Sequence, residues 1–407
     1  MDRMEDNLRY WLWVTMAFGA ANPRKWKALS FYESPSKLYE AVSSNDMGNI
    51  SSQDLKSVSS LKMDRVDELY ELCQKRDIRI ICPGDSEYPE RLFEIYNPPS
   101  ALFARGRLSQ GLDSLILASA GTRKPSKYSV KVTARLVREL TLAGFVMSTG
   151  MAVGLDSVVI RAAIASGGEV VVPLPCGLDY DGYPREVSSK ENRSAKELIA
   201  ARGMIISEYL PNEGPSRLSF VARNRLLSGI SVGALITQAG AGSGALSTAS
   251  FAVSQGRDVF CIPPHMLYDS SYEGVSNLIR DGAIPVFGAE DVVNAYYSSY
   301  PHKLKRPEGG VVSRSERLRD SSVSKKPRKT AESENTPSKK EKKPVDLLGL
   351  SEEKRRIAEL ILENGSMLFD DLSNALGGEL DLGGLLTELE IEGVVRMLPG
   401  NRYTVQS

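Results

Sequence analysis

The sequence has few of the residues on which most catalytic and metal sites depend. Among 407 residues there are two histidines, His265 and His302, and the second falls in a predicted linker. A zinc site or a Ser/His/Asp triad would therefore rest on His265 alone. The four cysteines are widely spaced and form no CxxC pair, which predicts buried thiols in a reducing compartment.

Long apolar runs and an excess of charge are also missing. No apolar run approaches the roughly 20 residues that span a bilayer. The N-terminal stretch is acidic before its apolar part, which is the wrong order for a signal peptide. We therefore expect a cytoplasmic protein without a membrane partner. Because 51 Lys and Arg balance 51 Asp and Glu, nucleic-acid binding would need a local basic patch.

Between residues 114 and 287, short apolar runs alternate with helical patterns. Apolar runs without periodicity predict seven strands, at 114–119, 145–148, 169–175, 204–210, 234–239, 258–262 and 284–287. Helices are predicted between them, at 127–143, up to Ala165, at 192–202, at 245–256 and at 274–281. This alternation predicts an α/β fold with a doubly wound, mostly parallel sheet. Ligands of such sheets bind beyond the carboxyl ends of the strands.

The rest of the chain divides around this core. Residues 1–77 show helical periodicity and predict a small N-terminal domain, and the α/β domain covers residues 78–300. Residues 301–345 are rich in Lys, Arg, Ser and Pro and predict a disordered basic linker, either a solubilising tether or a source of weak phosphate contacts.

Residues 346–407 predict a winged-helix domain, with three helices followed by two short strands around a Pro–Gly–Asn turn. Its third helix, LDLGGLLTELEIEG, has no Lys or Arg, which disfavours entry into a DNA groove. Protein binding or dimer contacts are the alternatives for this domain.

Three loops between strand and helix have the composition of phosphate-binding loops. They are AGTRKPS at 120–126, STGMAVGLD at 148–156 and GAGSGALS at 240–247. Glycine permits close backbone approach, and helix N-termini favour anions. Packing alone also explains Gly-rich turns, and no loop fits GxGxxG or GxxxxGK[ST]. In the second loop Asp156 is expected to be an ionised helix cap.

The stretch RLSFVARNR interleaves cations with an aromatic ring that a nucleobase could stack on. We expect a short helix over Asn224–Gly229 and a phosphate-binding role for Arg223 and Arg225. In the alternative interpretation, Phe220 belongs to the core and Arg225 pairs with a carboxylate such as Glu208.

Over residues 60–290 the sequence resembles the DNA-processing protein A (DprA/Smf) family. The motifs are YPERLFEI…NPPSALFARG (88–106), AGTR (120–123), STGMAVGLD (148–156), PCGLDYDGYP (175–184), SEYLP (207–211), FVARNRLLSGIS (220–231), SGALSTA (243–249) and GVSNLIRDGA (274–283). The resemblance implies an extended Rossmann-like sheet, an N-terminal domain of SAM or helix–hairpin–helix type and a C-terminal winged helix.

It also implies a homodimer that binds single-stranded DNA and loads a RecA-type recombinase during natural transformation, without a cofactor, a metal or catalytic residues. The residues expected to bind the strand are Arg123, Lys124, Ser148, Gly150, Gly154, Arg217, Phe220, Arg223, Asn224, Arg225, Ser243 and Gly244.

The chain departs from the family pattern near this site. Val153 and Ile160 stand where an Arg and a His are usual, Gln238 replaces a strand-end Glu, and Pro264 replaces a Gly. Two other functions stay open. One is a nucleotide hydrolase of the nucleoside monophosphate phosphoribohydrolase type, and the other is a scaffold that no longer binds DNA.

Overall fold

The computed structural model describes residues 3–180, 202–305, 350–376, 382–391, 394–398 and 402–405. The predicted helix at 192–202, most of the predicted linker and the Pro–Gly–Asn turn at 399–401 lie outside these residues. The chain forms two units, Met1–Asp320 and Ser321–Ser407. No described helix is long and apolar enough to cross a membrane.

The first unit begins with five helices whose apolar faces meet. They are α1 Arg3–Phe18, α2 Arg24–Tyr32, α3 Pro35–Ser43, α4 Leu55–Ser60 and α5 Met63–Lys75. Leu12, Leu38 and Val66 are fully buried, as the helical periodicity predicts. These side chains share one core with Phe103 and Leu117 of the sheet, so the helices pack directly on the sheet.

A nine-stranded sheet follows, in the order β1-β2-β6-β5-β4-β3-β7-β8-β9. The strands are β1 Arg79–Ile81, β2 Leu102–Gly106, β3 Ile116–Ala120, β4 Val146–Thr149, β5 Val170–Pro173, β6 Gly203–Ser207, β7 Gly233–Ile236, β8 Asp258–Cys261 and β9 Ile284–Pro285. The seven predicted strands are the parallel ones, β3 to β9. The edge strands β1 and β2 add to them in antiparallel fashion.

Helices cover both faces of the sheet. They are α6 Glu90–Phe93, α7 Lys127–Ala143, α8 Leu155–Ala165, α9 Arg217–Gly229, α10 Ala245–Ser254, α11 Glu273–Arg280 and α12 Ala289–Tyr297. Along β3, Leu117 belongs to the core on one face, and its neighbours Ile116 and Ala118 belong to cores on the other. Burial on both faces explains why the strands read as continuous apolar runs.

The second unit contains three helices and a three-stranded antiparallel sheet in the order β10-β12-β11. Its elements are α13 Glu352–Asn364, β10 Met367–Leu368, α14 Phe369–Ala375, α15 Leu382–Ile391, β11 Val395–Leu398 and β12 Arg402–Val405. Ile357, Ile361 and Leu389 are fully buried in its core. The observed helices agree with the three predicted ones to within two residues.

A buried lysine lies where the N-terminal helices meet the sheet. Lys25 on α2 is 1% exposed. Burial lowers the pKa of Lys25 from 10.5 to about 8, although the Glu208 carboxylate raises it, and Arg225 lowers it further. The folded state thus releases the proton of Lys25 at a lower pH than the unfolded chain does.

Because the folded chain loses the proton of Lys25 at a lower pH than the unfolded chain, we expect the free energy of unfolding to rise with pH. Between about pH 8 and pH 10.5 the unfolded chain holds the proton that the folded chain has lost, so the free energy of unfolding increases with pH. Relative to Lys25→Met, the wild type should gain about 2 kcal/mol between about pH 7.5 and pH 10. Urea unfolding of both proteins measures this difference and cancels the opposing titration of the cysteines. A pH-independent difference would show that Lys25 is charged equally in both states.

Candidate functional site

A cavity of about 590 Å³ lies at the carboxyl edge of the parallel strands. The connection after β3 leads to β4 on one side, and the connection after β7 leads to β8 on the other, so the strand order reverses between β3 and β7. Such a switch point opens a crevice between the two loops. The cavity is lined there by Ala120, Gly121, Thr122, Arg123, Lys124, Gly150, Ala152, Asp156, Phe220, Val221, Arg223, Asn224, Leu227, Gly240, Gly242, Ser243, Gly244, Ala245, Ser247, Thr248 and Ser271.

The loop after β3 presents two cations at the cavity. Arg123 and Lys124 are both exposed and both line it. Ser126 ends the loop by capping α7, because its Oγ accepts from the N–H of Ser129 at 3.0 Å. Gln238 fixes the same loop, since its Oε1 accepts from the N–H of Ser126 at 3.0 Å. The side chain of Gln238 therefore holds the basic loop in place.

Gly154 marks a contact between two of the loops. Its φ is +93°, and a Cβ there would lie 2.5 Å from the carbonyl oxygen of Thr122 and 2.7 Å from Cα of Arg123. Gly242 has no positive φ, and a Cβ there would meet nothing within 4 Å. The glycine of the second loop therefore serves packing, whereas that of the third faces open space.

We expect Gly154→Ala to lower the free energy of unfolding by about 2 kcal/mol or more, because it adds backbone strain to a steric clash. Gly242→Ala, as the matched control, should change it by less than about 0.5 kcal/mol. Chemical denaturation of the two variants gives the comparison. Equal stabilities would contradict the packing role of Gly154.

The loop after β7 leads into the N-terminus of α10. Gly244 precedes this helix and provides no side-chain cap. The backbone N–H groups of Gly242 and Gly244 donate to no described residue. Unpaired N–H groups at a helix N-terminus attract anions. This part of the cavity is suited to a phosphate.

Helix α9 begins at Arg217, seven residues before the predicted start at Asn224. Ser216 and Ser219 form a reciprocal capping box, with Ser219 N–H donating to Ser216 Oγ at 3.1 Å and Ser216 N–H to Ser219 Oγ at 2.8 Å. The prediction of a helix over Asn224–Gly229 is confirmed, but the first seven residues of the helix were missed because this cap uses serine where the usual pattern has Glu or Gln. Phe220 on the first turn is half-buried and lines the cavity.

Arg223 reaches the cavity from beneath and is only 5% exposed. Its Nη1 donates to the carbonyl oxygens of Gly150 at 2.8 Å and Pro173 at 2.7 Å, and its Nε donates to Oδ1 of Asn224 at 3.1 Å. Asn224 in turn donates to Oγ of Ser247 on α10 at 2.8 Å. Arg223 thus joins α9 to the carboxyl ends of β4 and β5 and also contributes positive charge to the cavity.

Arg225 does not line the cavity. It is 5% exposed, its Nη2 lies 2.7 Å from both carboxylate oxygens of Glu208, and its Nη1 donates to Asn97 O at 2.5 Å. Glu208 also accepts from the N–H of Ala21 at 3.1 Å. Arg225 therefore forms a buried ion pair with Glu208, as in the alternative interpretation, and does not make the expected phosphate contact in the cavity.

Asp156 differs from the expected helix cap. Gly154 occupies the cap position of α8, and Asp156 lies inside the first turn, where its Oδ2 accepts from the N–H of Ala152 at 3.1 Å. Burial raises the pKa of Asp156, although this bond and the nearby Arg223 lower it. The expected cap position was wrong, because Gly154 occupies it and the carboxyl group of Asp156 is buried inside the first turn.

The structure brings eight of the twelve predicted residues into this cavity, namely Arg123, Lys124, Gly150, Phe220, Arg223, Asn224, Ser243 and Gly244. Ser148 is fully buried and donates to the Val171 carbonyl oxygen at 3.0 Å. Gly154 packs between loops, Arg217 is exposed on the first turn of α9, and Arg225 is ion-paired. Among the described residues no group of three His, Cys, Asp or Glu could hold a metal ion.

Several residues of the cavity lining were not among the twelve predicted ones, and Val221 and Thr248 are two of them. Val221 lines it beside Phe220, and Thr248 lines it from the first turn of α10. Val221 could have been found by extending the predicted helix back to Ser216. Thr248 directly follows the predicted loop 240–247 and lies in the first turn of the helix predicted at 245–256. Including that first turn in the site would have found Thr248.

The chain was compared with protein families and known proteins. The family model described as DNA recombination-mediator protein A matches residues 79–297. DNA processing protein DprA of Bacillus subtilis (strain 168) is 33% identical over 219 residues, which are 54% of this chain and 71% of that protein. Protein Smf of Synechocystis sp. is 36% identical over 214 residues, which are 52% of each chain.

A solved structure extends the likeness to the fold. The X-ray structure of DNA processing protein A (DprA) from Streptococcus pneumoniae aligns with a TM-score of 0.55 and 28% sequence identity. The alignment covers 69% of this chain and 95% of that one. The sheet and its covering helices thus have a known counterpart.

Proposed function

Since the chain belongs to the DNA recombination-mediator protein A family, we propose that it binds single-stranded DNA in the cavity at the carboxyl edge of its sheet. One observation carries this proposal. Phe220 lines the switch-point cavity together with exposed Arg123 and Lys124 and buried Arg223. An aromatic platform among cations is what strand binding without sequence specificity requires.

The geometry favours a single strand over duplex. Stacking on Phe220 needs a base with a free face, and a duplex offers none along its length. The exposed cations of the cavity, Arg123 and Lys124, lie on a loop, and Arg223 on α9 is buried, so these cations do not form the exposed basic helix face that enters a groove. The strand would therefore be gripped by its phosphates and by one or more stacked bases.

A competition titration tests this function. Labelled oligo-dT bound to the protein should be displaced by unlabelled single strand at far lower concentration than by duplex of equal length at the same salt concentration. The affinity should also fall steeply as salt rises, because phosphate binding releases counterions. Equal competition by duplex and single strand would overturn the proposal.

The remaining expectations extend this function. By family resemblance, we infer that the protein acts in the cytoplasm as a homodimer, protects incoming strands and loads a RecA-type recombinase in transformation or recombination. The domain limits 1–77, 78–300, 301–345 and 346–407 are part of the same proposal. We infer a winged helix for the last segment, and its support is the element order α13-β10-α14-α15-β11-β12.

One observation favours a second candidate, hydrolysis of a nucleotide N-glycosidic bond. Asp156 is a buried acid in the lining of the cavity with a raised pKa, and such groups are frequent in active sites. Against an enzyme, its Oδ2 is held by the N–H of Ala152 and Arg223 lies nearby. Release of free base from nucleoside monophosphates, lost in Asp156→Asn, would establish the enzyme and contradict a pure binding function.

A further inference from the structure

Two buried side chains at the cavity floor have hydrogen-bonding capacity that the protein does not use. Thr248, in the first turn of α10, is 1% exposed and lines the cavity, and its Oγ1 has no partner among the described residues. The hydrogen bonds of Arg223 to described residues use Nε and Nη1 and leave Nη2 without one. A buried hydroxyl group without a partner, as in Thr248, is uncommon in folded proteins.

These groups lie in the same cavity as the N-terminus of α10. That helix has ten residues, lacks a side-chain cap and begins beside the unpaired N–H groups of Gly242 and Gly244. The helix dipole, the free N–H groups and the guanidinium of Arg223 all favour negative charge. Among the described residues that line the cavity, Asp156 is the one acid.

The donors lie deep in the cavity, and their depth restricts the kind of phosphate group that can reach them. An internal phosphodiester has a nucleotide on each side, and both would have to enter with it. A terminal phosphate has one connection, and its three oxygens can accept from several donors at once. The cavity volume of about 590 Å³ falls in the range of roughly 300–1,000 Å³ that is typical of small-molecule sites.

Building on the strand-binding function, we propose that the cavity floor binds the phosphate monoester of a single nucleotide, either as a free nucleoside 5′-monophosphate or as the 5′-phosphorylated end of a strand. The phosphate contacts the N-terminus of α10, Thr248 and Arg223, and the base lies toward Phe220 and Val221. A free nucleotide then competes with DNA for the same cavity.

The test uses the full-length protein and labelled oligo-dT with either a 5′-phosphate or a 5′-hydroxyl. We expect the phosphorylated strand to bind about tenfold more tightly, as one or two charge-assisted hydrogen bonds would produce. Thymidine 5′-monophosphate should displace the unphosphorylated strand, whereas thymidine should not. If only the free nucleotide has an effect, the site takes a free nucleoside 5′-monophosphate. If only the phosphorylated strand binds more tightly, the site takes the 5′-end of a strand. Either result supports the site.

Variants of Thr248 separate this site from general strand binding. Thr248→Val should abolish both the preference for the 5′-phosphate and the competition by thymidine 5′-monophosphate, whereas Thr248→Ser, which keeps the hydroxyl group, should retain both. Ser250→Ala is the matched control, because Ser250 is exposed on the same helix. If the wild-type protein bound the unphosphorylated strand but showed neither effect, the phosphate site would be overturned and the proposed function would stay intact. Failure to bind any strand would overturn both.

Discussion

Replacing Arg225 with alanine is expected to lower the free energy of unfolding by about 3–5 kcal/mol, because the change leaves the buried carboxylate of Glu208 without its partner. It also removes the donor to the Asn97 carbonyl oxygen. Arg217→Ala on the same helix should change stability by less than about 0.5 kcal/mol, since Arg217 is exposed. Urea denaturation of the two variants provides the measurement.

The double variant Glu208→Gln/Arg225→Ala is the control for this prediction. Removing the charge from both members should recover part of the stability lost in the single variant, since no uncompensated carboxylate remains. If Arg225→Ala were fully stable and bound DNA weakly, Arg225 would be a ligand of the strand and the ion pair would be incidental.

Phe220→Ala is expected to weaken binding of single-stranded DNA by about 1–3 kcal/mol, or roughly 5- to 150-fold, through loss of base stacking. The dependence of affinity on salt should stay as in the wild type, because the ring neutralises no phosphate. Fluorescence anisotropy with oligo-dT over a salt series measures both quantities. Leu218→Ala is a control for apolar exposure, since Leu218 is 81% exposed on the same turn and does not line the cavity.

Removing the two cations of the first loop, unlike removing the Phe220 ring, should change how the affinity depends on salt. Arg123→Ala combined with Lys124→Ala is expected to reduce the salt slope by about 2, one unit for each phosphate that the double variant no longer neutralises. If Phe220→Ala changed the slope as much as this double variant does, the ring would act by positioning cations and not by stacking.

The sequence predicted the sheet better than it predicted the site. Strands β3 to β8 were recognisable because burial on both faces produces uninterrupted apolar runs, whereas both residues of β9 are exposed. Strand β2 was missed because Leu102–Gly106 follows two prolines and ends in Arg–Gly, a composition typical of a connector. The three loops at the cavity could be predicted because they follow those strands directly.

The arginines of α9 show why the site was harder to predict. Arg217, Arg223 and Arg225 share a residue type but not an environment, because helix position decides which faces solvent, cavity or core. With the helix start placed at Asn224, the faces of Arg217 and Phe220 could not be assigned. The partner of Arg225, Glu208, is 17 residues away in sequence, and only the fold determines that the two meet.

Photo-crosslinking of the protein to oligo-dT that carries iododeoxyuridine tests the central claim most directly. Aromatic side chains stacked on the modified base react with it, and trypsin releases Phe220 in the peptide Leu218–Arg223. We predict that this peptide carries the crosslinked nucleotide and that Phe220→Ala removes it. Crosslinks confined to peptides from residues 301–407 would contradict the account, because the strand would then bind outside the cavity.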